Sequence, residues 1–485
     1  MFDKKLDLLM KLLSVSNSEL AKAVYIDPSY ISKLRKGKRK APKSSEFLFD
    51  ISDYFVELAD KKNMLHLLKD IVGCPDEDDT DEISLVVYEW LVLKDSVVDI
   101  VSKLMSDISE HDFGELKNSE RLIGLQSDKE INITEYYYGI AGKKDCIKKI
   151  FGKIIKPDRG VTVFWKINEW DSHFFEEEDH YYEYYELTKE LLDNDGRIVL
   201  LFSDEGYYIK LIILMNKFLP YFINKKIIPY LYNKADGYGV NAVILVENEI
   251  TLLRLPNYEN LDNAAFMSTN EIGMINYSKG LFDSLLSKSN PIIDVLEYDD
   301  VDAYIKGYEQ ICDMDGRYYY MEANLPFYSL PKALAKKIDK EYPELNFYEV
   351  YEQSNRTYLS ILKNNGGCEV FDIREREKYC FLFQGKLIEY SKSDFECHLK
   401  EIISLMKKYE RYEVYISKDI VKNISLLIND KGGLIIERYN RKNKLIRAQD
   451  KKINKQFIRY IFNIREKSGL KTKEEVISYL KNLLD

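Results

Sequence analysis

Histidine is scarce in this chain: His66, His111, His173, His180 and His398 are the whole supply in 485 residues. An imidazole-based hydrolase, proton relay or metal site has only these five to draw on. Six cysteines are scattered as Cys74, Cys146, Cys312, Cys368, Cys380 and Cys397, with no C-x-x-C pair and no histidine at metal-ligand spacing. Reduced thiols in a cytoplasmic protein, with no metal, are expected. No run of about 18 apolar residues occurs, so no membrane-spanning helix is expected. The opening MFDKKLDLLMKLL is too charged for a signal peptide. A G-x-x-x-x-G-K-[ST] phosphate loop, a G-x-G-x-x-G turn after a strand and a G-x-S-x-G elbow are all missing. The expectation is therefore no catalytic residue and no cofactor.

Net positive charge is missing too: the formal charge is −10. Its distribution is uneven. The first 42 residues hold ten Lys/Arg against four acids, so +6 locally and −16 in the remainder. A small basic head on a large acidic body suits contact with a polyanion at one end only.

That head contains the most informative stretch, Ser16 to Gly37, SNSELAKAVYIDPSYISKLRKG. Leu20, Ala21 and Val24 lie on one face of a first short helix. Asp27 is a good N-cap for a second helix, with Pro28 at its first position. Ile31 and Leu34 turn that helix inward, leaving Ser29, Tyr30, Ser32, Lys33 and Lys36 outside, with Arg35 close by. Gly37 stops it, and Lys38, Arg39 and Lys40 follow. The stretch resembles the helix-turn-helix of the lambda-repressor/Cro (XRE) family of DNA-binding proteins, on Leu20-Ala21, Ile31-Ser32 and the exit Gly37-Lys38-Arg39-Lys40-Ala41-Pro42. The resemblance covers roughly the first 70 residues. It implies Ser29, Tyr30 and Lys33 as base readers, with Ser32 beside them. Arg35, Lys36, Lys38 and Arg39 would be backbone contacts, and Asn17 a phosphate ligand. Tyr25 stands where that family usually has glycine, which predicts a wider turn, because positive φ strains a tyrosine.

Domains are expected at 1–72 (helix-turn-helix), 73–130 (acidic linker and helical connector), 131–295 (α/β sensor or dimerisation domain) and 296–485 (a second α/β or α+β domain). Residues 73–82, GCPDEDDTDE, are a linker by composition, and 83–109 return to a wide apolar helical stripe. From 131 onward strands and helices alternate, which predicts mostly parallel sheets covered by helices. The fold class is thus multidomain: an all-α head followed by α/β domains. No internal sequence repeat is visible. In strand–helix order the middle part is similar to phospholipase-D-like sensor domains. Catalysis in that family needs an H-x-K signature, which is expected to be absent from the chain, so this part would sense or scaffold and not cleave.

Three tyrosine clusters, Tyr136–Tyr138, Tyr181 to Tyr185 and Tyr318–Tyr320, offer contact area with a polar tip. Biased composition is the simpler explanation, and no ligand residue is assigned to them. His173 and His180 flank four acids, Glu176 to Asp179; successive acids diverge, so a solvated loop is the simpler reading. The pattern points to a sequence-specific DNA-binding transcription regulator. It would bind double-stranded DNA as a homodimer, and its body would sense a small-molecule, peptide or protein effector away from any membrane. The alternative is an enzyme or effector of phage-defence or toxin type that carries the head for targeting.

Overall fold

The computed structural model describes residues 2–39, 45–72, 74, 80–92, 96–111, 134–155, 160–167, 181–203, 207–233, 235–236, 240–255, 264–297, 306, 308, 315–373, 379–383, 386–438, 444–470 and 472–484. The chain divides into two compact units, Met1–Lys103 and Leu104–Asp485.

The first unit is all helix: α1 (Phe2–Leu12), α2 (Asn17–Ala23), α3 (Pro28–Arg35), α4 (Ser45–Lys61), α5 (Leu65–Val72) and α6 (Thr80–Val92). The division falls within α7 (Val97–Glu110). Leu6, Leu9, Leu20, Ile31, Leu34 and Phe55 are fully buried in one core that also takes in Val87 and Leu91 of α6. α6, expected in the connector, therefore packs back on the head: Phe49 stacks on Tyr88 with ring centroids 3.9 Å apart, and Lys5 Nζ donates to the Trp90 carbonyl at 2.6 Å. The acidic stretch 75–79 and residues 112–133 lie outside the described residues.

The second unit holds two large sheets. The first repeat runs β1 (Thr134–Tyr138), α8 (Gly139–Ile154), β2 (Thr162–Ile167), α9 (Tyr181–Asp193), β3 (Arg197–Ser203), α10 (Tyr207–Ile223) and β4 (Ile227–Tyr232). It continues through β5 (Ala242–Val246), β6 (Ile250–Arg254), β7 (Ala265–Thr269), α11 (Ile272–Leu286) and a two-residue strand, β8 (Asn290–Pro291). The second runs β9 (Ile293–Glu297), β10 (Tyr318–Glu322), α12 (Lys332–Glu341), α13 (Phe347–Asn364), β11 (Gly367–Phe371), β12 (Tyr379–Phe383), β13 (Lys386–Tyr390) and α14 (Lys392–Lys408). It ends with β14 (Tyr412–Ile416), β15 (Ile424–Asn429), β16 (Gly433–Arg438), β17 (Lys444–Ala448), α15 (Lys451–Glu466) and α16 (Lys473–Asn482).

Mostly parallel sheets were expected, and both sheets are mixed. Among the described residues only β2–β3, β3–β4, β10–β11 and β11–β14 pair in parallel. The reason is local. β5 and β6 are joined by the short turn Glu247–Glu249, with Asn248 at φ 61°, which leaves no room for a crossover helix. Strand–helix alternation holds for the parallel half of each sheet, and a meander supplies the other half.

The two sheets are the same fold. The first has the order β1-β7-β6-β5-β2-β3-β4, with β8 added at the edge; the second has β9-β17-β16-β15-β10-β11-β14. Directions agree pair by pair, and so do registers. Val163 lies opposite Val246 and Ile198; Tyr318 lies opposite Asn429 and Gly367. Thr269 lies opposite Thr251 and Thr134; Ala448 lies opposite Leu434 and Ile293. Val163 therefore corresponds to Tyr318, Trp165 to Tyr320 and Arg254 to Glu437. The boundary expected at 295/296 falls inside β9, the first strand of the second copy. The second copy differs by the β12–β13 hairpin inserted after β11. Among the described residues no helix is long and apolar enough to cross a membrane.

Candidate functional site

Two places concentrate polar side chains without an evident packing role. The first is the outer face of α3. Ser16 caps α2 in a reciprocal box: its Oγ accepts from Glu19 N at 3.2 Å, and Glu19 Oε2 accepts from Ser16 N at 2.7 Å. Asp27 caps α3 by accepting from Ser29 N at 2.7 Å, and the Ser29 hydroxyl together with this backbone bond holds the Asp27 carboxyl below its ordinary pKa. Tyr25 takes φ 54° with its side chain 95% exposed. Val24 N donates to Leu20 O at 3.1 Å and Ile26 N to Ala21 O at 2.9 Å. The turn thus stays tight, and the tyrosine carries the strain that a wider turn was expected to relieve. Gly37 leaves the helix at φ 63°, and Lys38 N closes it on Lys33 O at 2.9 Å.

Ser29, Lys33, Lys36, Lys38 and Arg39 are exposed on or just beyond α3, and Tyr30 and Ser32 are half-buried. Arg39 lies over the Tyr30 ring at 4.4 Å, and Tyr30 meets Phe47 edge-on at 6.1 Å, so the tyrosine is fixed from both sides. Arg35 and Asn17 point inward. Arg35 Nε donates to Asp7 Oδ1 at 3.0 Å, and Nη1 donates to Asn17 Oδ1 at 2.8 Å. Lys11 and Arg35 together hold the Asp7 carboxyl below its usual range. Arg35 is thus a clamp tying α3 to α1 and α2.

The second place is a cavity of about 80 Å³ in the second repeat. Strand alternation sends Tyr318, Tyr320 and Glu322 of β10 to one face and Tyr319 to the other, where it meets Phe462. Helix α13 covers that face with Val350, Gln353, Ser354, Thr357, Tyr358 and Ile361, a stripe of helical period in which three polar residues interrupt the apolar ones. Tyr328, from the 3-10 turn Phe327–Ser329, completes the aromatic wall at 5.6 Å from Tyr320 and 4.7 Å from Tyr358. Ser425 and Glu437 form the floor.

The polar groups under this wall are ordered by register. Glu322, Ser425 and Glu437 sit opposite one another on β10, β15 and β16. All three are buried. Tyr320 donates to Glu322, and Tyr308 donates to Glu437 Oε2 at 2.7 Å. Deeper in, Glu369 of β11 accepts from Tyr412. Burial pushes the Glu369 carboxyl up to about 8, against the opposing pull of the Tyr412 hydroxyl. Among the described residues Glu369 Oε1 and the Tyr358 hydroxyl have no hydrogen-bond partner. Burial holds the Tyr328, Tyr358 and Tyr412 hydroxyls protonated far above their ordinary range.

Of the tyrosine clusters, Tyr318 and Tyr320 line the cavity, while Tyr136 and Tyr138 stand exposed on the edge strand β1. Tyr137 is bonded to Glu135. Tyr185 packs on Phe218. The side chains of Tyr181 to Tyr184, and His173, His180 and the acids between them, lie outside the described residues. Glu369, Glu437, Ser425 and the α13 stripe escaped sequence reasoning; polar residues recurring within the apolar period of 350–361 were the available signal.

One H-x-K triplet does occur, His398-Leu399-Lys400, on α14. His398 is fully buried and Lys400 is exposed, so the two do not converge. His398 Nε2 lies 2.8 Å from Ser329 Oγ, and Tyr390 lies 3.1 Å from Nδ1. Ser329 Oγ donates to the Pro326 carbonyl at 2.7 Å, and burial drives the imidazole pKa down to about 3. Serine and histidine are both at 0% exposure, so this pair braces the core out of reach of a substrate. Among the described residues no group of three or more His, Cys, Asp or Glu is placed to hold a metal ion.

No family model matches the chain, and no curated protein matches it. Among solved structures, a crystal structure of polyphosphate kinase from Porphyromonas gingivalis aligns over 73% of this chain and 56% of its own, at 9% identity and a TM-score of 0.25. The chain thus spans little more than half of that kinase. TrmBL2, an archaeal chromatin protein with a novel mode of DNA binding, aligns over 59% of this chain and 91% of its own, at 8% identity and a TM-score of 0.25. At that score neither likeness bears on fold or activity.

Proposed function

We propose that this chain is a sequence-specific DNA-binding transcription regulator of the lambda-repressor/Cro type in its head, acting as a homodimer, with an effector-sensing α/β body. The observation that carries the reading is α3. It is capped, stopped and anchored through Ile31, Leu34 and Arg35, while Ser29, Lys33, Lys36, Lys38 and Arg39 stand clear in a run one helix wide. A rigid rod with a basic exit suits insertion into a major groove with phosphates on either side. One such helix contacts too few bases for useful specificity, so two copies on a half-site pair are required. In this reading the body binds an effector in the tyrosine-walled cavity and performs no chemistry. An effector regulates by binding the DNA-competent and DNA-incompetent states unequally.

The test is selection of duplexes from a random pool with the full chain, followed by anisotropy titrations over a salt series. A two-fold symmetric site should emerge. Lys36→Ala and Lys38→Ala should each lower the slope of log K against log salt by about 1 without changing the selected sequence. Lys33→Ala should relax the preference at one base position. A pool that returns no motif, with salt slopes unmoved by these changes, refutes the assignment.

A further inference from the structure

The cavity of the second repeat has a definite chemical character. Four tyrosine rings, from Tyr318, Tyr320, Tyr328 and Tyr358, present π surface to a small, partly open space. Glu437 and Ser425 lie at its base, and a second buried acid, Glu322, sits beside Ser425 on the neighbouring strand. Among the described residues that line it, neither lysine nor arginine occurs. A phenol that donates to a carboxylate, as Tyr320 does to Glu322, becomes more electron-rich in its ring. Rings, carboxylates and hydroxyl oxygens therefore all favour a positive guest. Aromatic faces attract an ammonium by their quadrupole, more strongly once water is excluded.

We propose that this cavity binds the head of a small organic cation, a primary alkylammonium, with the nitrogen at Glu437 and the carbon next to it against the tyrosine faces. The inference deepens the sensing half of the proposed function and rests on the cavity being a ligand site. Size sets the class. A cavity of roughly 150 Å³ accepts a benzene ring, so about 80 Å³ takes a head of a few heavy atoms. Gln353, exposed, and Ser354 and Thr357, half-exposed, mark the mouth on α13, through which the rest of an alkyl chain leaves. The same positions in the first repeat are Val163, Trp165 and Arg254, where the guanidinium replaces the Glu437 carboxylate and would repel a cation, so one site per chain is expected.

The experiment is isothermal titration of the full chain, without DNA, with n-butylammonium chloride, against 1-butanol as the neutral isostere and butyrate as the anion. Saturable binding of one butylammonium is expected, with 1-butanol at least about tenfold weaker and butyrate without effect, a tenfold change being one decade in Kd. Glu437→Gln should weaken butylammonium at least about tenfold. Thr357→Trp, at a half-exposed position that leaves the core intact, should block the mouth and abolish binding. The inference is overturned if 1-butanol binds as tightly as butylammonium, if Thr357→Trp still binds it, or if no saturable heat is seen. Butylammonium binding unaltered in a folded Glu437→Gln would overturn it too. Because DNA is absent, failure of the DNA reading leaves this result standing, and the reverse is equally true.

Discussion

Glu369 offers the sharpest test of the electrostatics beneath the cavity. Its carboxyl is raised from an ordinary 4.5 to about 8 by burial, so the folded protein keeps it protonated at neutral pH. A folded-state pKa above the unfolded value means that the associated stability is present below about 4.5 and is lost as pH rises toward about 8. Between pH 5 and 7 the loss integrates to about 2–3 kcal/mol. His398 works in the opposite sense. Its pKa is depressed from 6.5 to about 3, so its contribution is full above about 6.5 and is lost as pH falls, by about 2 kcal/mol between pH 7 and 5. The two nearly cancel over that window in the wild type. Glu369→Gln removes one of them while keeping an acceptor for Tyr412. The variant should match the wild type within about 1 kcal/mol at pH 5 and exceed it by about 3 kcal/mol at pH 7. Its own stability should then climb with pH as His398 dictates. Urea unfolding followed by tyrosine near-ultraviolet circular dichroism at pH 5, 6 and 7 reads this directly. Parallel stability curves for variant and wild type would show that Glu369 ionises normally and would refute the reasoning.

Three further outcomes concern the head. Tyr25→Gly removes a left-handed tyrosine that is 95% exposed, so relief of about 1–2 kcal/mol of strain, less the entropy of glycine, should raise unfolding stability by about 0.5 kcal/mol or more in thermal melts. Asp27→Ala removes the α3 cap and should cost about 1 kcal/mol in the same melts. Arg35→Ala should lower head stability by about 1–3 kcal/mol through the loss of its bonds to Asp7 and Asn17, while leaving the salt slope of DNA binding unmoved, in contrast to Lys36→Ala.

The head was legible because its signals are local. Cap, proline, periodic Leu20, Ile31 and Leu34, and the stop at Gly37 are each read within a turn or two of chain, and each has its expected place in the structure. The role of Arg35 was not legible, because Asp7 is 28 residues away and only folding brings it near. In the body, the apolar runs Val161–Ile167, Arg197–Phe202 and Tyr412–Ile416 read as strands from the sequence, and 241–255 as a hairpin about Asn248; β2, β3, β14 and the β5–β6 pair stand there. Besides the two-residue β8, three strands were missed: β9, β11 and β15. Gly367-Cys368-Glu369-Val370-Phe371 opens on glycine and places a charge at its centre, which reads as loop, yet all five residues are buried. These omissions hid the repeat, because β9, β11 and β15 are the partners that make the two strand orders coincide.

The duplication also sets the acids around the cavity against their counterparts in the first copy. On the face that α13 covers in the second repeat, Glu322, Glu369 and Glu437 are buried to within 1%. By register their counterparts in the first repeat are Ile167, Leu200 and Arg254. A strand interior gains stability from isoleucine and leucine, whereas each buried carboxylate costs several kcal/mol unless it is protonated or well hydrogen-bonded. The second copy meets that cost with phenols: Tyr320 bonded to Glu322, Tyr308 to Glu437 and Tyr412 to Glu369. The same fold is built in the first copy without this arrangement, so the acids are not needed to form it. Residues that a fold does not require, and that weaken it where they stand, are the ones to assign to binding. On that argument the carboxylates and their tyrosines are the residues of the second repeat to probe for binding, with the first repeat as the comparison.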